Sequence, residues 1–186
     1  MSKVWICLFR GINVGGNNKL PMKELTKVML TAGLSDVKTY IASGNMVFKC
    51  DASDLGSAEA DLGGLIEMFV EMHFGFRPLV MVLSLEYLEK IMVANPFKDH
   101  EQKGKAQHIF LPFSSTIRAD LSLLESLKAP SEAFHLGDHA FYLYAPEGIG
   151  RSKLAEKVDR ALKTLTTARN LNTVETLRDL AAELEK

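Results

Sequence analysis

Near its start the chain carries an unbroken apolar run, Val4 to Phe9, with no polar side chain among them. A strand turns successive side chains to opposite faces, so such a run demands cover on both sides. A one-layer sheet open to water on one face is therefore excluded, and a layered fold is required. Gly11, Gly15 and Gly16 break the run, and Pro21 suits the first position of a helix. Met22, Leu25, Met29 and Ala32 recur at helical spacing until Gly33 ends the pattern. Val37–Ile41 and Asn45–Cys50 read as short strands around an Ala42-Ser43-Gly44 hairpin turn. Leu62, Leu65, Ile66 and Phe69 predict a second helix, which Gly63 and Gly64 weaken by about 1 kcal/mol each relative to Ala. Pro78 opens the apolar strand Leu79–Leu83. The order is β-α-β-β-α-β, a ferredoxin-like unit.

A helix near Ser84–Ala94 and a polar loop Asn95–Lys105 lead into a second copy of that order. Its strands are Gln107–Leu111, Ala133–Leu136 and Ala140–Ala145, the last two around a Gly137-Asp138 turn. Helices are predicted over Ser115–Leu127 and Ser152–Leu162, followed by a short segment Thr164–Ala168 and a last helix Thr173–Leu184. The reading is an α+β chain of two ferredoxin-like (βαββαβ-type) subdomains, 1–83 and 105–186, with an extra C-terminal helix. Residues 84–104 form the connector helix and loop. The duplication is architectural, since no residue-level repeat accompanies it.

Charge narrows the partners. Residues 1–95 hold 9 basic and 10 acidic groups and residues 96–186 hold 13 and 13, so neither half has a basic excess. Duplex binding draws most of its affinity from phosphate neutralisation, so this balance argues against nucleic acid. The third strand, Asn45 to Cys50, also lacks the basic-aromatic start of an RNA-recognition strand. Cys7 and Cys50 lie in apolar runs and read as small buried hydrophobes. They are too few and too far apart for a disulfide framework or a zinc ribbon. The N-terminal run reads as a strand and not a signal peptide, and no apolar stretch reaches the ~18 residues of a membrane span. The expected compartment is a reducing cytoplasm, with no membrane partner.

Four polar regions could carry chemistry. Arg10–Lys19 leaves a buried strand, holds three glycines and three asparagines, and feeds a helix start with free backbone N–H groups. Backbone donors and the helix dipole favour an anion there, and Arg10 and Lys19 would add charge-assisted bonds. The candidates in this loop are Arg10, Asn13, Gly15, Gly16 and Lys19. It is not a Walker loop, because the Lys does not follow Gly16 directly and no Ser or Thr follows it. The alternative is a loop whose glycines make turns and whose asparagines cap the helix. The turn Ser43-Gly44-Asn45 joins the first loop if the first and third strands are neighbours, which sets both at one edge of the sheet. In the second half, Gly148–Lys153 reads as the equivalent loop, with Arg151 and Lys153 as cations and Ser152 as N-cap. Arg169, Asn170 and Asn172 form a polar group before the last helix, where Asn172 or Thr173 reads as N-cap. The histidines have no companions at metal-ligand spacing, and no nucleophile elbow or catalytic triad can be assembled from order alone. No metal, cofactor or catalytic residue is assigned.

Four stretches are long enough to carry a resemblance: Leu8 to Gly16, Tyr40 to Phe48, Asn95-Pro96-Phe97, and Ser152-Lys153-Leu154 with Thr167 to Val174. On these the chain resembles the bacterial family of uncharacterised proteins catalogued as domain of unknown function 1697. It departs from that pattern at Ala168, where a Thr is usual, and at Leu171, where a Trp is usual. The resemblance implies two α+β subdomains and no activity. Three functions stay open at this point. One is a module binding a small anionic or phosphorylated ligand at the Gly-rich loops, with Arg10, Asn13, Gly15, Gly16, Lys19, Ser43, Gly44, Asn45, Lys153, Arg169 and Asn170 as its contacts. The others are an enzyme acting on such a ligand and an interaction protein without one.

Overall fold

In the computed structural model, described over residues 3–51, 61–100 and 104–186, two four-stranded antiparallel sheets and six α-helices form. The first sheet is built from β1 (Lys3–Arg10), β2 (Ser35–Tyr40), β3 (Asn45–Cys50) and β4 (Leu79–Ser84), in the order β2-β3-β1-β4. Helices α1 (Met22–Thr31) and α2 (Leu62–Phe74) are its two crossovers, and α3 (Leu85–Val93) follows β4. The second sheet is built from β5 (Gln107–Pro112), β6 (Ala133–Leu136), β7 (Phe141–Tyr144) and β8 (Thr166–Asn170), in the order β6-β7-β5-β8. Its crossovers are α4 (Leu121–Leu127) and α5 (Lys153–Leu162), and α6 (Leu171–Glu185) comes last. Both sheets have the ferredoxin-like order, so the architecture read from the sequence is the architecture of the molecule.

By Cα proximity the chain divides into Met1–Leu88 with Thr176–Lys186, and Glu89–Glu175. Residues 101–103 of the expected connector loop lie outside the described residues. In the first unit, Cys7 and Phe9 of β1, Met46 and Phe48 of β3 and Val80 of β4 pack with Leu25 and Met29 of α1 and Ile66 and Val70 of α2. The other face of this sheet is buried as well: Ile6 and Val47 at 0%, Leu8 at 1% and Leu83 at 4% exposure. The apolar run at the start of the chain is thus enclosed on both sides. Both thiols, Cys7 and Cys50, are buried and unlinked. In the second unit Phe110, Phe141 and Leu143 pack with Leu124 of α4 and with Leu154, Val158 and Leu162 of α5.

Three expected elements move. The helix expected over Ser115–Leu127 covers only Leu121–Leu127. Ser114 accepts from the Thr116 N–H through its hydroxyl, which makes a local turn, and the Asp120 side chain caps the helix by accepting from Leu123 N–H at 2.9 Å. Hydroxyls that bond their own backbone compete with helix formation in this way. The segment expected over Thr164–Ala168 is the edge strand β8, shifted to Thr166–Asn170 and paired with β5. The last helix begins at Leu171, and its first turn is closed by Asn170, whose Oδ1 accepts from Thr173 N–H at 2.9 Å. Asn170, not Asn172 or Thr173, holds the N-cap position.

Candidate functional site

The loop after β1 is a miniature hairpin. The Asn17 N–H donates to Val14 O at 3.1 Å and the Asn13 N–H to Asn18 O at 3.1 Å. Gly15 and Gly16, at φ 60° and 81°, make the two-residue turn at its tip, a conformation that L side chains rarely adopt. Asn13 ties the hairpin down. Its Oδ1 accepts from Leu20 N–H at 2.8 Å, and its Nδ2 donates to Leu20 O at 3.0 Å and to Ala42 O at 2.8 Å. The last bond crosses to the β2–β3 turn, so the loops containing Arg10–Lys19 and Ser43–Asn45 do lie together. Phe9 N–H donates to Gly44 O at 2.9 Å, which continues the β1–β3 ladder by one step. A Cβ on Gly44 would come within 2.6 Å of the Ile12 side chain and 2.8 Å of Phe9 Cβ, so glycine is required there. Asn45 is wholly buried, and its Nδ2 donates to Tyr40 O and to Ser43 Oγ. Ile41 sits at φ 49°, a sparsely populated region for a β-branched residue. The bonds from Asn13 and Asn45 to the carbonyls on either side of Ile41 hold the chain there.

The polar groups of this region are therefore largely turned inward. Arg10 is half-buried at the end of β1, opposite Leu79, while Gly15, Gly16 and Lys19 are exposed. The helix after the loop starts at Met22 with Pro21 ahead of it and no side-chain cap, and Asn13 closes the chain just before that start.

Gly148–Lys153 does not occupy the place of the first loop. It follows β7, the third strand of its sheet, and its topological counterpart is the segment after β3, most of which lies outside the described residues. Since β1 and β3 are antiparallel, the first loop and this one leave opposite ends of equivalent sheets. Here a 3-10 turn over Ile149–Arg151 leads to Ser152, whose Oγ accepts from Ala155 N–H at 2.9 Å and caps α5. Arg151 and Lys153 are exposed on either side of that cap. A concavity of about 420 Å³ is lined by Gly150, Arg151, Ser152, Lys153, Ala155 and Glu156. A second, of about 410 Å³, is lined by Ser126, Leu127, Ala129, Arg151 and Lys153. The two cations are common to both. The Glu156 carboxyl is held below the usual carboxylate range by the Lys157 ammonium that it binds.

Arg169 and Asn170 lie in β8 and not in a loop. Arg169 is 9% exposed, and its Nη1 donates to Thr167 Oγ1 at 3.0 Å and to Ala168 O at 2.8 Å. It shares a sheet face with Ile109, Tyr142 and Gln107. Gln107 is 1% exposed and was not singled out from the sequence. Its Oε1 accepts from Asn95 Nδ2 at 2.9 Å, and Asn95 Oδ1 accepts from Phe97 N–H at 3.0 Å, which fixes both amides in orientation. Among the described residues Gln107 Nε2 then has no partner, and neither has Nε2 of His108 on the opposite face. Burial pushes the His108 imidazole below its ordinary range, against a weaker opposing hydrogen bond to the Lys105 main chain. One signal for the Gln107 pair was available: Asn95-Pro96-Phe97 is among the stretches that carry the resemblance. Its partner across sequence was not legible without the fold.

The predicted contacts thus fall into two groups. Arg10, Asn13, Gly15, Gly16, Lys19, Ser43, Gly44 and Asn45 gather at one end of the first sheet, and Lys153, Arg169 and Asn170 belong to the second unit. Among the described residues no helix is long and apolar enough to cross a membrane.

No curated protein matches the chain. Its fold is similar to that of the conserved bacterial protein SP0830 from Streptococcus pneumoniae, with a TM-score of 0.72 and 25% identity over 97% of this chain and 99% of that one. The sequence profile of a family described as "Protein of unknown function (DUF1697)" matches residues 1–142. That match stops ahead of Ala168 and Leu171, while the structural likeness covers 97% of the chain. With most of its length covered by that profile, the chain belongs to the DUF1697 family.

Proposed function

We propose that the protein is a binding module for a small anionic ligand, held at the loop Gly148–Lys153 of the second unit. The observation that carries this reading is the pair of exposed cations, Arg151 and Lys153, on the wall of a concavity of about 420 Å³. That volume is within the usual range for small-ligand pockets. Apart from that of Ala155, which Ser152 caps, the first N–H groups of α5 lack partners within the helix and add donors at the same place. The loop after β1 is the weaker candidate, because Asn13 and Asn45 bond its own backbone and its neighbour's.

The test is a thermal-shift screen of the full chain against inorganic phosphate, nucleotides and sugar phosphates. A ligand at 100 times its Kd raises apparent stability by about 2.7 kcal/mol. The expected result is a hit that Lys153→Ala or Arg151→Ala weakens by roughly 1.5–3 kcal/mol, the range for a hydrogen bond to a charged group, and that Arg10→Ala leaves unchanged. A hit abolished by Arg10→Ala alone would move the site to the first unit. Absence of any hit would overturn the reading.

A further inference from the structure

We infer that the anionic group of the ligand lies in the middle of the ligand and not at its end, as in a phosphodiester. This deepens the reading just given and rests on it. Arg151 and Lys153 are the residues that two concavities, of about 420 and 410 Å³, have in common. A charge paired with both cations has open space on either side of it. A terminal phosphate would occupy only one of these spaces and leave the other to water. A diester carries one substituent into each, and each is large enough for a ring-sized group.

The electrostatics of the two recesses point the same way. In the first, the remaining charged wall is Glu156, whose carboxyl Lys157 keeps ionised. A second phosphate placed there would face a like charge, so the arm on that side is neutral or cationic. In the second, the other walls are Ser126, Leu127 and Ala129, which offer no further cation. Ser126 directs its hydroxyl to Leu123 O at 2.7 Å. Both recesses therefore favour uncharged arms, with the two cations beside the anionic group between them.

The experiment compares bis(4-nitrophenyl) phosphate with 4-nitrophenyl phosphate by calorimetric titration of the full chain. The diester is expected to bind at least about tenfold more tightly, although it carries less charge. Lys153→Ala should weaken it by about tenfold or more, in line with one charge-assisted hydrogen bond. Ser126→Trp narrows the second recess from an exposed position and should weaken the diester, which needs both recesses, more than the monoester, which can use the first alone. A monoester that binds as tightly as the diester, or a diester indifferent to Ser126→Trp, overturns the inference and leaves the anion site standing. Failure of both probes at millimolar concentration removes the anion site itself.

Discussion

The two units share one topology, and their sheets differ on one face. Toward the helices both are mainly apolar: Phe48 and Met46 against Ile66 of α2 in the first, Phe141 and Leu143 against Val158 of α5 in the second, where His108 and Thr166 are the buried polar exceptions. On the other face the first sheet presents Ile6, Leu8, Val47 and Leu83 with a single buried polar residue among those described, Asn45. The second presents Gln107, Tyr142, Thr167 and Arg169 among Ile109 and Leu111. Of the nine buried polar or charged residues among those described, eight belong to Glu89–Glu175. A buried polar group that lacks a partner costs free energy, so a sheet does not accumulate such groups for stability. The helix-facing layer is what the ferredoxin-like order requires. The opposite layer is where the two copies differ, and the buried polar side chains gather in the second.

The largest effects should fall on the layer that the units share. Phe48 of β3 and Phe141 of β7 lie on equivalent strands, each wholly buried in its own helix-facing core. Phe48→Ala and Phe141→Ala are each expected to cost about 3–5 kcal/mol, the range for a deleted core aromatic. Denaturant unfolding measures both. A cost below about 2 kcal/mol at either position would break the claim that the two cores are equivalent.

A sharper test uses the two asparagines that pin loops. Asn95 is 2% exposed, and its loss would strand Gln107 Oε1 and Phe97 N–H without water. Asn13 makes three bonds in an exposed loop, where water replaces part of what is lost. Asn95→Ala should cost about 2–3 kcal/mol and Asn13→Ala about 0.5–1.5 kcal/mol, because an orphaned buried group bears its full desolvation penalty. Equal costs would mean that burial of polar groups does not distinguish the units.

The smallest effect is one of pH. His108 is buried and kept neutral, with its pKa lowered by burial. The unfolded imidazole takes up a proton near pH 6.5 while the folded one does not, so stability is full above about pH 6.5 and declines as the pH falls toward the depressed folded value. Thermal melts between neutral and mildly acid pH should show this decline, and His108→Leu should flatten it. A profile unchanged by His108→Leu would assign the acid sensitivity elsewhere.

The periodicity of the sequence was enough for the ferredoxin-like order, because an all-apolar strand and helical stripes report the helix-facing layer directly. Elements whose ends depend on single side chains moved: Asp120 and Asn170 fix where α4 and α6 begin, and each competes with other plausible caps nearby. The candidate loops were legible as polar and Gly-rich, and the approach of Asn13 to Ala42 follows from the neighbouring first and third strands. What Asn13 and Asn45 do there was not legible, since an asparagine offered to a ligand and one bonded to its own backbone look alike in sequence. The pairing of Asn95 with Gln107 crosses twelve positions of chain, and the shared wall at Arg151 and Lys153 brings α4 beside the start of α5. Both depend on tertiary packing.

The division of the chain has a consequence for biosynthesis. The first unit comprises Met1–Leu88 and Thr176–Lys186, joined in part by the ion pair of Lys38 with Glu183, and the whole of the second unit is made between them. Domains generally fold as they leave the ribosome, N-terminal parts first. Here the stretch that emerges first gains its last segment, residues 176–186, only after all of Glu89–Glu175 has been made. The unit that begins first in the gene is therefore the one whose final segment is made last.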